Sequence, residues 1–236
     1  MAPLRTYTNW NARYQNDIER KDPYRRYLFL CEGTKTEVNY IKGVIDNKKA
    51  LNIKPGIDID ILEKTESDEG KSSPELLIQL ADDYKSKTIP NFDKKFDRIV
   101  IVFDLDIYIN NWKEYEKVRK NALQKEYIIA VTNPSFELFL LLHKQNSLQN
   151  IILPNKEEIL ANNWVINGKG KKRFVNDLFF KQFKINPKTN KRVRDFAVNL
   201  PIAIEQEKKI NQDSSKAEGV LTSNLAYIFE SIMNNE

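Results

Sequence analysis

The stretch Arg98-Ile99-Val100-Ile101-Val102-Phe103-Asp104-Leu105-Asp106 decides the fold. Its apolar, mostly β-branched run has no polar face, the pattern of a central strand covered on both sides. It ends abruptly in two aspartates one residue apart. Upstream, Tyr27-Leu28-Phe29-Leu30-Cys31 is a second apolar run that stops at Glu32-Gly33, and a helical pattern follows through Val38, Ile41, Val44 and Ile45. Apolar run, turn glycine and amphipathic helix together make a strand–turn–helix unit. Ile57 to Leu62 alternates strictly, which predicts a strand exposed on one face, and Pro74 opens a helix carrying Leu76, Leu77, Leu80 and Tyr84. Downstream come a charged helix from Trp112 to Gln124 and a strand from Tyr127 to Val131. Asn133-Pro134-Ser135 then opens a very apolar helix from Phe136 to His143. Strands alternating with helices predict an α/β fold with a mostly parallel sheet flanked by helices.

Residues 1–23 are polar, without sustained periodicity, and read as an N-terminal arm. The α/β core is expected over 24–150. Beyond Asn150 strand signals nearly vanish, and helical stretches around 155–163, 171–183 and 197–234 predict a C-terminal helical appendage over 151–236. That region is basic: between Val165 and Arg194, ten lysines and arginines face Asp177 as the only acid. Such a block is commonly a solvated surface, but beside an acidic catalytic site it suits a phosphate backbone.

Composition removes several function classes. The chain of 236 residues has one cysteine and one histidine, Cys31 and His143. An internal disulfide framework, a multi-cysteine zinc site and a histidine-rich metal site are therefore excluded. A metal held here has to be hard and oxygen-liganded, which points to Mg2+ or Mn2+. No run approaches the roughly 18 apolar residues of a spanning helix, and the polar start shows no secretory leader, so a cytoplasmic protein is expected. A net charge of +5 tolerates a polyanionic partner without requiring one.

The chemistry sits at the strand ends. In open α/β sheets the functional crevice lies outside the carboxyl ends of the strands. Glu32 follows one predicted central strand; Asp104 and Asp106 follow another. Residues i and i+2 of a strand face the same way, so both aspartates are expected to reach one point. Converging carboxylates repel unless a divalent cation lies between them, and such a cation would polarise a phosphoryl oxygen. A turn with helix-capping acids also ends a strand in Asp-x-Asp; the second acidic strand end at Glu32 favours a metal site.

At this point three motifs resemble the RloB-like family. Cys31-Glu32-Gly33-Thr34-Lys35-Thr36-Glu37 with Tyr40 is similar to its CEG-x-x-TE-x-x-Y opening. Val102 to Asp106 resembles its second motif, a hydrophobic strand ending in Asp-x-Asp. Thr132-Asn133-Pro134-Ser135-Phe136-Glu137 with His143 resembles its SNP-x-FE-x-W-x-x-x-H, with Thr132 for serine and Phe139 for tryptophan. The motifs fall in order over about 27–145; beyond Asn150 the likeness is weak. The resemblance implies a Toprim-like fold in which Glu32 is an acid/base or metal ligand and Asp104 and Asp106 bind magnesium. It also implies a prokaryotic anti-phage defence protein that cleaves DNA or RNA (tRNA among the candidates) beside an ABC- or AAA-type ATPase.

Among the remaining candidates, Glu137 lies in an apolar helix where a carboxylate needs a partner or a metal. His143 is a candidate general acid/base, although a lone histidine on an apolar helix is commonly a core residue. Glu37, in a first helical turn, is either a dipole-favoured cap or a support for the site. Lys35, Lys169, Lys171, Lys172 and Arg173 are the candidate nucleic-acid contacts. A homodimer is expected only if the site must oppose two strands. The competing reading is a non-catalytic nucleic-acid-binding or sensor subunit of an ATPase complex. A third, an aspartyl-phosphate phosphatase or phosphotransferase, lacks the Thr/Ser-plus-Lys pattern of those enzymes.

Overall fold

The apolar runs form neighbouring strands of one sheet. A computed structural model describes residues 25–64, 73–87, 92–167 and 170–235; the 1–23 arm and Lys169 lie outside the described residues. Strands β1 (Arg25–Cys31), β2 (Ile57–Ile61), β3 (Asp97–Asp104) and β4 (Ile128–Asn133) are parallel, in the order β2-β1-β3-β4. A two-residue strand, Thr222–Ser223, pairs antiparallel with the end of β4 and completes a five-stranded mixed α/β sheet. The α/β class and the mostly parallel sheet agree with the expectation from sequence.

Alternate residues of each strand serve different layers. Leu28, Leu30, Ile99, Ile101 and Phe103 pack with helices α2 (Pro74–Lys87) and α3 (Trp112–Gln124). Phe29, Cys31, Val100 and Val102 pack with α1 (Thr36–Asp46) and α4 (Phe136–Leu141). Both faces being covered explains why β1 and β3 read as continuous apolar runs. β2 is the edge strand, and Asp58 and Asp60 give it the alternation seen in the sequence.

The C-terminal helices are α5 (Lys156–Ala161), α6 (Phe174–Phe183), α7 (Leu200–Glu207) and α8 (Leu225–Asn234). They pack on the sheet, as expected of the C-terminal helical region, and share its apolar core. The ring of Phe229 in α8 stacks on Phe29 of β1 with centroids 5.4 Å apart, and both belong to one apolar cluster with Tyr40 and Phe139. Gly43 in α1 lets a 3-10 segment, Lys191–Asn199, lie against the helix; a Cβ there would collide with the Arg194 carbonyl.

Sequence reading missed two elements here. Trp164–Asn167 (β5) and Gly170–Arg173 (β6) form an antiparallel pair where a helix start was expected at 171. This hairpin stands at the surface, and its second strand is basic apart from Gly170, so it never acquires the apolar alternation that marks a half-buried strand. The last strand, Thr222–Ser223 (β7), is too short to carry any period. Among the described residues, no helix is long and apolar enough to cross a membrane.

Candidate active site

β1 and β3 lie side by side, and the helices that follow them pack on opposite faces of the sheet. That divergence opens a crevice at the carboxyl ends of the two strands. Glu32 follows β1 directly, and its amide donates to the Val102 carbonyl at 2.8 Å, extending the ladder. Asp104 is the last residue of β3. Asp106 is not on the strand, contrary to the i, i+2 expectation. Leu105 adopts φ −95°, ψ −1°, and Asp106 begins one 3-10 turn. The turn is fixed by Leu105 N to Thr132 O at 2.9 Å and Asp106 N to Pro134 O at 3.1 Å, with Leu105 fully buried.

A cleft of about 720 Å³ opens over these strand ends. Five carboxylates line it: Glu32, Asp104, Asp106, Glu37 from the first turn of α1 and Glu137 from the first turn of α4. Gly33 makes room for Glu37, since a Cβ at Gly33 would meet both Glu37 carboxylate oxygens. Glu137 accepts from Asn176 Nδ2 at 3.0 Å. The far wall is basic: Lys171, Lys172 and Arg173 of the hairpin, and Lys188. Lys35 lines the mouth, exposed at the start of α1.

Burial, with mutual repulsion added, raises four of these acids. Burial, then the charges of Glu137 and Glu32, pushes Glu37 up to about 7. Asp104 is pushed well above the usual carboxylate range by burial and by Glu37, Glu137 and Glu32. Burial also raises Glu32, with Asp106 adding repulsion. Burial raises Asp106 while Arg173 and Lys188 pull it down.

As the side chains stand, Glu32 Oε2 accepts from the Asp104 amide at 3.2 Å and Asp104 Oδ1 from Thr132 Oγ1 at 2.8 Å. Among the described residues, no three His, Cys, Asp or Glu side chains already surround one point as metal ligands do. The donor set in the cleft nevertheless has the chemistry of a hard-cation site. It is all oxygen, and burial with mutual repulsion raises Glu32, Glu37, Asp104 and Asp106. Cys31 is no competitor: it is buried below the cleft with its thiol pushed up by burial and by Glu37. Glu32, Asp104 and Asp106 could hold Mg2+ or Mn2+.

The sequence model of the RloB-like protein family matches residues 27–231. The chain belongs to the RloB-like family. The match starts in β1 and ends in α8, so the RloB-like unit includes the C-terminal helices that the sequence motifs did not reach. No curated protein and no solved structure matches the chain.

All three RloB-like motifs converge, but not on one spot. Glu32, Glu37, Asp104, Asp106 and Glu137 meet in the cleft. His143, expected as a general acid/base, does not line it. It is buried in the core, with Nδ1 3.0 Å from the Phe139 carbonyl and Nε2 2.8 Å from Tyr40 Oη. A carbonyl only accepts, so Nδ1 carries the hydrogen and the Tyr40 hydroxyl donates to Nε2. The last residues of the first and third motifs thus lock α1 to α4. Burial lowers His143 from 6.5 to about 4, so stability is present above 6.5 and lost as pH falls through 4. The acidic cluster pulls the other way over this range, so the test compares wild type with His143→Gln, which has no titrating ring. The variant's stability deficit in urea unfolding is expected to shrink by roughly 3 kcal/mol from neutrality to about pH 4.

Several cleft residues escaped sequence reading. Trp164, Asn162 and Asn176 line the wall; none sits in a motif, and Asn176 carries no charge within the 165–194 basic stretch. Trp164-Val165-Ile166 is a short apolar run inside a basic block, the one signal that could have marked the hairpin.

Proposed function

We propose that this RloB-like protein is a Toprim-type nuclease that uses Mg2+ or Mn2+ to hydrolyse phosphodiester bonds of DNA or RNA. The observation that carries the reading is the five-carboxylate cluster at the β1/β3 crevice facing a wall of lysine and arginine. A phosphate backbone matches the basic wall; its scissile group would then lie over the acids. Glu32, Asp104 and Asp106 would hold the cation. When bound, the cation supplies a Lewis acid that offsets charge gathering on the phosphoryl oxygens. Lys171, Arg173 and Lys188 orient the backbone and neutralise it. Glu37, pushed up to about 7 before any cation binds, lines the cleft beside the proposed cation ligands and is the candidate to exchange a proton with a reacting oxygen. The cytoplasmic defence setting, and an ABC- or AAA-type ATPase partner, are proposed from the family resemblance alone.

The test offers plasmid, single-stranded DNA and tRNA in Mg2+ and in Mn2+ to the wild type and to Asp104→Ala/Asp106→Ala, with metal binding measured in parallel. Metal-dependent cleavage that disappears in the variant is the expected result. If no metal binds at millimolar concentration, the carboxylate assignment fails and the non-cutting nucleic-acid-binding subunit takes its place.

A further inference from the structure

The β5–β6 hairpin forms part of the cleft wall, and its two faces differ. Trp164 lies opposite Arg173 and Ile166 opposite Lys171, so these four side chains share one face. On the other face Lys172 sits over the Phe180 ring, 4.4 Å from its centroid, and ties the hairpin to α6. The first face has no such cover: Trp164 is 53% exposed and Ile166 85% exposed. Its cations gather on the indole, with Arg173 Cζ at 4.5 Å and Lys171 Nζ at 5.2 Å from the ring centroid.

The base of this platform is built, and one donor in it is unused. Arg173 donates through Nη1 to the Asn162 carbonyl at 3.3 Å. Asn162 Oδ1 accepts from the Val175 amide at 3.2 Å, which fixes which way the side-chain amide points. Among the described residues its Nδ2, in a residue 1% exposed that lines the cleft, has no hydrogen-bond partner. A buried amide donor left over in a ligand-sized cleft, next to an arginine, marks a place for an acceptor such as a phosphate or base oxygen.

We infer that this face seats an unpaired nucleotide, its base stacked on Trp164 and its phosphates on Lys171 and Arg173, so that the cleft takes single-stranded rather than duplex nucleic acid. The inference rests on the proposal that the cleft receives nucleic acid, and it names the substrate class. An aromatic ring stacks on a base only when that base offers its π face; within a duplex both faces are covered by neighbouring pairs. Lysine and arginine alone would bind either form through phosphate. The exposed indole among them is what distinguishes the two. The guanidinium beside the stack adds a cation–π contact and keeps its charge on the phosphate side.

Binding is measured apart from cleavage, by fluorescence anisotropy of labelled oligonucleotides with the full chain. The Asp104→Ala/Asp106→Ala background keeps the oligonucleotide intact. Single-stranded DNA, single-stranded RNA and the two matching duplexes separate strandedness from sugar. Both single strands, or one of them, are expected to bind about tenfold or more tightly than the duplexes. Adding Trp164→Ala should remove about tenfold of that affinity, and Trp164→Phe should restore most of it. Equal or tighter duplex binding, or a Trp164→Ala protein that binds single strands as before, overturns the inference. Single-strand binding that depends on Trp164, in a wild type that cuts nothing in either metal, supports this inference and removes the nuclease reading. No binding to any oligonucleotide removes the inference with its premise.

Discussion

Replacing Asp104 by asparagine will leave the metal-free protein more stable than the wild type at about pH 8, and, if the proposed metal-dependent nuclease is right, will abolish the thermal response to magnesium and the cleavage of nucleic acid. Asparagine has the same shape, and its Oδ1 can keep the hydrogen bond from Thr132 Oγ1. What disappears is a charge that Glu37, Glu137 and Glu32 all disfavour. The stabilisation should raise Tm by a few degrees, at about 2–4 °C per kcal/mol for a chain of this size. Cleavage should fall by about a thousandfold or more, roughly 4 kcal/mol of barrier. Thermal melts with and without Mg2+, beside a cleavage assay on the same preparations, check both halves. An Asp104→Asn protein that is less stable without metal would mean that the cluster is held by contacts rather than strained by repulsion.

The same strain fixes the pH dependence. Glu37 goes from 4.5 to about 7, and Glu32, Asp104 and Asp106 are raised as well. The folded state therefore binds more protons than the unfolded chain above the ordinary carboxylate range. Stability from the cluster is fully present below that range and is lost as pH rises through the raised values, near neutrality for Glu37. A divalent cation held at the proposed site would compete with these protons. Its thermal stabilisation would accordingly be greater on the alkaline side and its binding would release protons, an effect that Asp104→Asn should blunt.

The acidic centre was legible in the sequence because a parallel sheet buried on both faces leaves long apolar runs, and the runs stop where the crevice begins. Glu32 and Asp104 could be placed from that alone. Asp106 reached the cleft for a different reason than strand geometry gives: Leu105 turns the chain, and the carbonyls that hold the turn belong to Thr132 of β4 and to Pro134 just after it, about 30 residues away. His143 could not be assigned, because its helix is apolar on every side. Whether it faced the cleft or the core depended on where Tyr40 lay, 103 residues earlier. Basic charge was visible along 165–194, but its folding into a hairpin against the acids was not. That geometry comes from Asn162 and Arg173 bonding across the hairpin's base, contacts that neither propensity nor periodicity encodes.

Glu207→Ala will lower stability by about 3–5 kcal/mol, a fall in Tm of roughly 10 °C, although the residue is remote from the cleft. Glu207 ends α7 and is fully buried. Four groups donate to its carboxylate. The Ala226 and Tyr227 amides in the first turn of α8 stand at 3.1 and 2.8 Å, the Ser223 hydroxyl of β7 bonds it closely, and Gln212 Nε2 stands at 3.2 Å. One side chain thus caps α8 and ties it to α7 and to the last strand of the sheet. Truncation to alanine strands two buried amides and a hydroxyl at once. Urea unfolding measures the loss, and hydrogen exchange shows where it is felt. If 151–236 were a separable appendage, the amides of β1 and β3 would keep their protection while α8 opened. With Phe229 stacked on Phe29, opening α8 uncovers the face of β1 itself. Protection should therefore fall together in α8, β1 and β3, the behaviour of one cooperative core.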